Sequence, residues 1–159
     1  MIRGIHHVAI NTANFERIFT FYTKVLGFSP AIENFSFAND PLIDAVIGLK
    51  NAVGRQTILN AGNCYIELFE YSQPAARDSA PLRPCDRGYT HFCLDVTDIE
   101  AEYDRLAEAG MVFMHDRPGD FGDIKAVYGQ DPDGNIIEIQ QTTREQVFSL
   151  AQLGTVNFA

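Results

Sequence analysis

The strongest constraint on this chain is that much of it is written twice. Residues 4–10, GIHHVAI, and residues 88–96, GYTHFCLDV, both have strand-like patterns with a histidine near the middle. Asn14 stands seven residues after His7, and Asp98 stands seven residues after His91. Asn and Asp both favour the position that caps the first amides of a helix. An amphipathic stretch follows each cap. In the first, Phe15, Ile18, Phe19, Tyr22 and Val25 recur at helical spacing; in the second, Ile99, Tyr103, Leu106 and Ala107 share a face. Each stretch stops at a glycine, Gly27 or Gly110, the residue that best tolerates a left-handed helix end.

Each half closes on a strand with a central glutamate: NCYIELFEY around Glu67 and NIIEIQQ around Glu138. A turn precedes each strand, and Asp131-Pro132-Asp133-Gly134-Asn135 is strong hairpin chemistry. The unit therefore reads strand, helix, strand, strand, strand. Residues 1–72 form the first module, 73–87 a proline-bearing linker, 88–141 the second module and 142–159 a tail. His7 to Glu67 spans 60 residues and His91 to Glu138 spans 47. The 13 extra residues fall between Pro30 and Arg55, where NDPLIDAVIGL predicts a short additional helix on a loop.

Strand parity brings the four ionisable residues into one argument, because alternate side chains point to opposite faces. Val8 and Ile10, Ile66 and Leu68, Phe92 and Leu94, and Ile137 and Ile139 form the apolar parity that packs on helices. His7, Glu67, His91 and Glu138 occupy the other parity, facing whatever the sheet encloses. Two neighbouring carboxylates repel unless a cation lies between them. Two imidazoles and two carboxylates suit one divalent first-row ion (Ni, Co, Mn, Zn or Fe) with room for water or substrate oxygens. Tyr65 and Phe69 share parity with Glu67, and Cys93 shares it with His91. With Tyr128 on the preceding strand, they are candidate pocket residues. Tyr22 reads as packing, and His6 has the wrong parity for the site. His115 reads as structural, and residues 118–128, PGDFGDIKAVY, resemble a lid.

Charge narrows the partners. Twelve basic residues against 21 acidic ones give −9, which argues against binding nucleic acid or anionic membranes. No run of about 18 apolar residues occurs, and the N-terminal pattern is not that of a secretory signal, so a cytoplasmic location is expected. Three cysteines, Cys64, Cys85 and Cys93, form no close pair, so neither a disulfide framework nor a cysteine metal site is expected.

The segments HHVAI, FYTKVLGF, YIELFE, THFCLDV and DPDGNIIEI resemble the vicinal oxygen chelate superfamily, which includes glyoxalase I, methylmalonyl-CoA epimerase, extradiol dioxygenases and antibiotic-resistance proteins. The resemblance covers Ile2 to Gln141. It implies an α+β fold in which two βαβββ modules form a cup-shaped, eight-stranded mixed sheet around a metal. Matched position by position, the ligands are His7, Glu67, His91 and Glu138. Extradiol dioxygenases and fosfomycin-resistance enzymes use two His and one Glu. A fourth ligand, Glu67, favours the glyoxalase and epimerase branch, with Glu138 or Glu67 moving a proton on a metal-chelated carbonyl substrate. An iron-dependent dioxygenase and a ligand-binding or resistance protein stay open as alternatives. A homodimer is implied. Arg55, Arg83, Arg87, Arg117 and Lys125 are the basic residues available to grip glutathione or a coenzyme A thioester.

Overall fold

The computed structural model describes residues 2–77 and 80–153. Contacts divide the chain into two compact units, Ile5–Ala80 and Pro81–Ala159, the latter including Met1–Gly4. The division falls between Ala80 and Pro81.

The first unit runs β1 (His7–Asn11), α1 (Phe15–Thr20), β2 (Ser29–Pro30), β3 (Phe35–Ala38), α2 (Pro41–Ile47), β4 (Val53–Asn60) and β5 (Tyr65–Gln73). The second runs β6 (His91–Asp95), α3 (Ile99–Glu108), β7 (Val112–Phe113), β8 (Gly119–Asp120), β9 (Ile124–Gln130) and β10 (Ile136–Thr142). Each unit has its own five-stranded mixed sheet. In the first, β1 lies parallel to β5, β5 antiparallel to β4, and β2 and β3 both pair with β4. The second repeats this plan as β6, β10 and β9, with β7 and β8 both on β9.

The expected βαβββ unit is present twice, with its second strand broken into two pieces. β2 pairs with Leu59 and Asn60 of β4, and β3 with Val53 to Gln56. β7 pairs with Gly129 and Gln130 of β9, and β8 with Lys125 and Ala126. Pro30 closes β2 and Pro118 precedes β8; neither can donate to a ladder. Eight expected strands thereby become ten segments among the described residues.

Both helices begin where the capping residues predict. Asn14 Oδ1 accepts from the Arg17 amide at 3.1 Å, and Asp98 Oδ1 accepts from the Ala101 amide at 3.2 Å. A second cap comes from the sheet. Glu70 Oε1 accepts the Phe15 amide at 3.1 Å, and Gln141 Oε1 accepts the Ile99 amide at 3.1 Å. Glu70 follows Glu67 by three residues and Gln141 follows Glu138 by three, so the duplication extends to this contact. The stretch after α1 is a π-helical turn, Phe21–Val25, which brings Phe21 as well as Tyr22 into the core. It ends at Gly27 with φ 78°, and Gly110 ends the second helical segment with φ 96°.

The apolar parity of each sheet packs as expected. Phe15, Ile18, Ile66 and Leu68 are buried in the first unit, and Ile99, Leu106, Ile137 and Ile139 in the second. Each such side chain contributes roughly 1.5–3 kcal/mol relative to exposure. Ala107, expected on the buried face of α3, is exposed, because that face is only as wide as Ile99, Tyr103 and Leu106. The predicted extra helix is α2. Asp40 Oδ1 caps it through the amides of Leu42 and Ile43, and Pro41 occupies its first turn.

Candidate metal centre

β1 and β5 pair in a register that sets His7 opposite Tyr65, two residues before Glu67. The two side chains share a face, and His7 Nε2 stands 3.4 Å from Glu67 Oε2. In the second sheet His91 lies opposite Ile136, two residues before Glu138, and His91 Nε2 stands 3.3 Å from Glu138 Oε2. The same strand order, register and offset thus build the same histidine–glutamate pair twice. The carboxylates are the more enclosed members, with side chains 14% and 16% exposed against 41% and 29% for the imidazoles.

The donors fit an ion. Two ligand atoms each roughly 2.0–2.2 Å from one ion, at adjacent octahedral positions, stand about 3 Å apart. Both pairs are close to that separation. Both are also longer than the charge-assisted hydrogen bond of about 2.7–2.9 Å that an imidazole N–H would make to a carboxylate. Among the described residues, no three His, Cys, Asp or Glu side chains are gathered as ligands of one ion. Each unit therefore brings together two of the four expected ligands.

Groups around the second pair are tuned by it. Cys93 is the register partner of Glu138. Desolvation, and then the Glu138 carboxylate, push its thiol up to about 12, so it is a neutral S–H at neutral pH. Tyr128 is the partner of Glu138 on the other side, and its ring centroid lies 4.8 Å from that of His91. Burial and the Glu138 charge raise its phenol above the ordinary value. In the first unit, Tyr65 lies 5.1 Å from the His6 ring, and Phe69 stacks on Tyr71 with centroids 5.4 Å apart. Tyr71 is also raised, by burial and then by Glu67. It shares the parity of Glu67 and Phe69, a signal that was available in the sequence.

A cavity of about 410 Å³ opens beside Glu138. Met114, Phe121, Val127 and Tyr128 form most of its apolar wall, and His115 and Arg117 are its other polar lining. His115, expected to be only structural, is therefore a pocket residue; no nearby motif marked it. Phe121, in the segment expected to be a lid, is exposed apart from its place in that wall. Tyr22 is fully buried, in keeping with packing.

Two further residues escaped the parity argument. His6 Nδ1 stands 2.9 Å from His7 Nδ1, and Thr90 Oγ1 stands 3.0 Å from His91 Nδ1. Both stand immediately before the first strand residue. Four of the five candidate anion grips are already engaged by carboxylates: Arg55 by Glu70 and Glu16, Arg83 by Asp86, Arg117 by Asp104 and Lys125 by Glu100. In the tail, Phe148, Leu150 and Leu153 are exposed, and Phe158 lies outside the described residues. No helix among the described residues is long and apolar enough to cross a membrane.

Residues 4–139 match the family model of the glyoxalase/bleomycin resistance protein/dioxygenase superfamily. The chain belongs to this superfamily. Its α+β architecture of paired modules is the superfamily's fold. Over 151 residues it is 24% identical to the metallothiol transferase FosB of Staphylococcus haemolyticus, covering 94% of this chain and 91% of that protein. The crystal structure of a glyoxalase family protein from Enterococcus faecalis is 30% identical, with a TM-score of 0.61 over 86% of this chain and 96% of that one. A glyoxalase family protein from Bacillus cereus shares the fold at a TM-score of 0.78 and 17% identity, covering 91% of this chain and 96% of that one.

Proposed function

We propose that this superfamily member is a divalent-metal-dependent enzyme of the lyase or isomerase type, moving a proton on a small carbonyl substrate. His7, Glu67, His91 and Glu138 would hold the ion, which when bound supplies Lewis-acid polarisation of a substrate carbonyl. The observation that carries this reading is the duplicated pair, with the same register, the same offset and donor separations of 3.4 and 3.3 Å.

The chain's own groups account for the rest. Glu138 lines the cavity and takes the proton from the carbon next to the carbonyl, then returns it to the neighbouring position. The Tyr128 phenol stays protonated at neutral pH and can donate to a substrate oxygen. In the metal-free protein Cys93 is held as a thiol, chiefly by desolvation and the Glu138 carboxylate. Met114, Phe121 and Val127 offer an apolar wall to an apolar part of the substrate. Arg55, Arg83, Arg117 and Lys125 are paired with carboxylates, which weakens the case for a polyanionic thiol cosubstrate. A homodimer accords with the exposed Phe148, Leu150 and Leu153.

A second reading, a metal-dependent thiol transferase of the resistance type, draws on the near full-length similarity to FosB. Metal-loaded protein assayed with α-ketoaldehyde hemithioacetals and epimerisable thioesters, and separately for thiol consumption with an epoxide, separates the two. Oxygen-independent turnover in the first assays is expected. Thiol consumption alone would favour transfer, and oxygen uptake with bound iron would favour a dioxygenase.

A further inference from the structure

We propose, resting on the metal reading above, that His6 and Thr90 are positioning residues that set the ring orientation and tautomer of the two histidine ligands. The imidazoles of His7 and His91 are each approached at both nitrogens. On the Nε2 side stands a carboxylate oxygen at 3.4 or 3.3 Å, beyond the usual range for an N–H···O hydrogen bond. On the Nδ1 side stands the side chain of the preceding residue at 2.9 or 3.0 Å, within that range. With the proton of each neutral ring placed on Nδ1, that atom donates to Nδ1 of His6 in one unit and to Oγ1 of Thr90 in the other. That leaves each Nε2 with a bare lone pair beside its glutamate, the form in which an imidazole ligates a metal.

The two partners differ chemically but do the same work. A threonine hydroxyl accepts through its lone pairs. His6 accepts through Nδ1 when its own proton sits on Nε2, and its ring is steadied against Tyr65 at a tilted 37°. The His6 and His7 rings meet nearly edge to face, at 87°, which lets the two Nδ1 atoms approach. Each partner is the residue just before a strand, adjacent in sequence to the ring it approaches. Partners on the far nitrogen of metal-bound histidines fix the ring and strengthen the ligand, and their loss typically weakens metal binding by about 10–100-fold.

The test uses the full chain with five sequences: wild type, T90V, T90S, H6F and H6N. Imidazole ¹⁵N shifts of the metal-free protein report which ring nitrogen carries the proton, and calorimetric titration with zinc reports affinity. In the wild type, His7 and His91 are expected to be Nδ1–H tautomers. T90V should shift His91 alone away from that form, and H6F should shift His7 alone. Each should weaken zinc binding by about 10–100-fold. T90S restores the acceptor, and H6N places an amide oxygen where Nδ1 stood, so both should recover tautomer and affinity. Nε2–H tautomers in the wild type, or T90V and H6F indistinguishable from it in both readouts, would overturn the proposal. If the wild type takes up no zinc, the metal reading fails, and the tautomer comparison still decides the positioning role.

Discussion

Glu138 sits two residues beyond the strand partner of His91, which turns its carboxylate to the same side as that imidazole. Parallel pairing makes this relationship reproducible: β1 with β5 and β6 with β10 share direction and register, so His7 and Glu67 repeat it. The helix that follows each histidine strand is anchored by Glu70 or Gln141, residues on the glutamate strand itself. Strand pairing and helix docking therefore hold the same two elements together from both ends.

If Glu138 is the base, Glu138→Gln removes proton transfer while keeping the side chain's volume and its place beside Tyr128. Turnover should fall by about 10²–10⁴-fold, with the circular dichroism spectrum and melting temperature close to wild type. The kinetic assay with metal-loaded enzyme checks this. A Gln variant with wild-type kcat removes Glu138 from the chemistry.

Acid should weaken the first unit through Glu70. Its carboxyl is held below the ordinary value of 4.5 chiefly by the hydrogen bond from Arg55, with the Phe15 amide and the Arg55 charge assisting against burial. A carboxyl depressed by folding stabilises above its unfolded pKa, and that contribution is lost as pH falls through the folded one. Glu70→Gln should therefore be less stable than wild type at neutral pH, by about 1–2 kcal/mol given its partial exposure. Its stability should also decline less steeply below pH 4.5. Urea unfolding across pH 3 to 7 reads both effects.

Asp131 organises the turn before β10. Its Oδ1 accepts the amides of Asp133 and Asn135 at 2.9 Å each, and its Oδ2 accepts the Asn135 side-chain amide at 2.8 Å. The residue is 4% exposed, and Asp131→Ala leaves these half-buried donors without their acceptor. A loss of about 1–3 kcal/mol is expected by denaturant titration. Gly134 in the same turn has φ 86°, and a Cβ there would meet Pro81 Cγ at 2.7 Å, so Gly134→Ala should also destabilise.

Cys93 should be a poor nucleophile in the metal-free protein. With its thiol pushed up to about 12, it carries almost no thiolate at pH 8. Both thiols are exposed, so the difference in thiolate content decides the order: mass spectrometry after brief iodoacetamide treatment at that pH should find Cys85 modified well before Cys93.

Much of this arrangement was legible in the chain because duplication supplies its own control. Asn14 and Asp98 marked both helix starts, and the parity of Val8, Ile10, Ile137 and Ile139 put the histidines and glutamates on the opposite face. The breaks in the second strand of each module were not legible. They depend on where Pro30 and Pro118 meet β4 and β9, which local pattern does not specify. Parity set His6 aside and did not bring Thr90 into consideration; each contacts the Nδ1 side of the next residue's ring, a sequence-adjacent contact that parity does not describe. His115 and the Glu70 and Gln141 caps needed tertiary placement, since nothing in their immediate neighbours signals a pocket or a distant helix end.

The central claim, that the two histidine–glutamate pairs serve one ion, is tested most directly by metal stoichiometry. Calorimetric titration of wild type, His7→Ala and His91→Ala with the same divalent ion should give one ion per chain for the wild type and severe loss of binding in both variants. Two ions per chain, with one retained in each variant, would show that the pairs act separately and contradict the account.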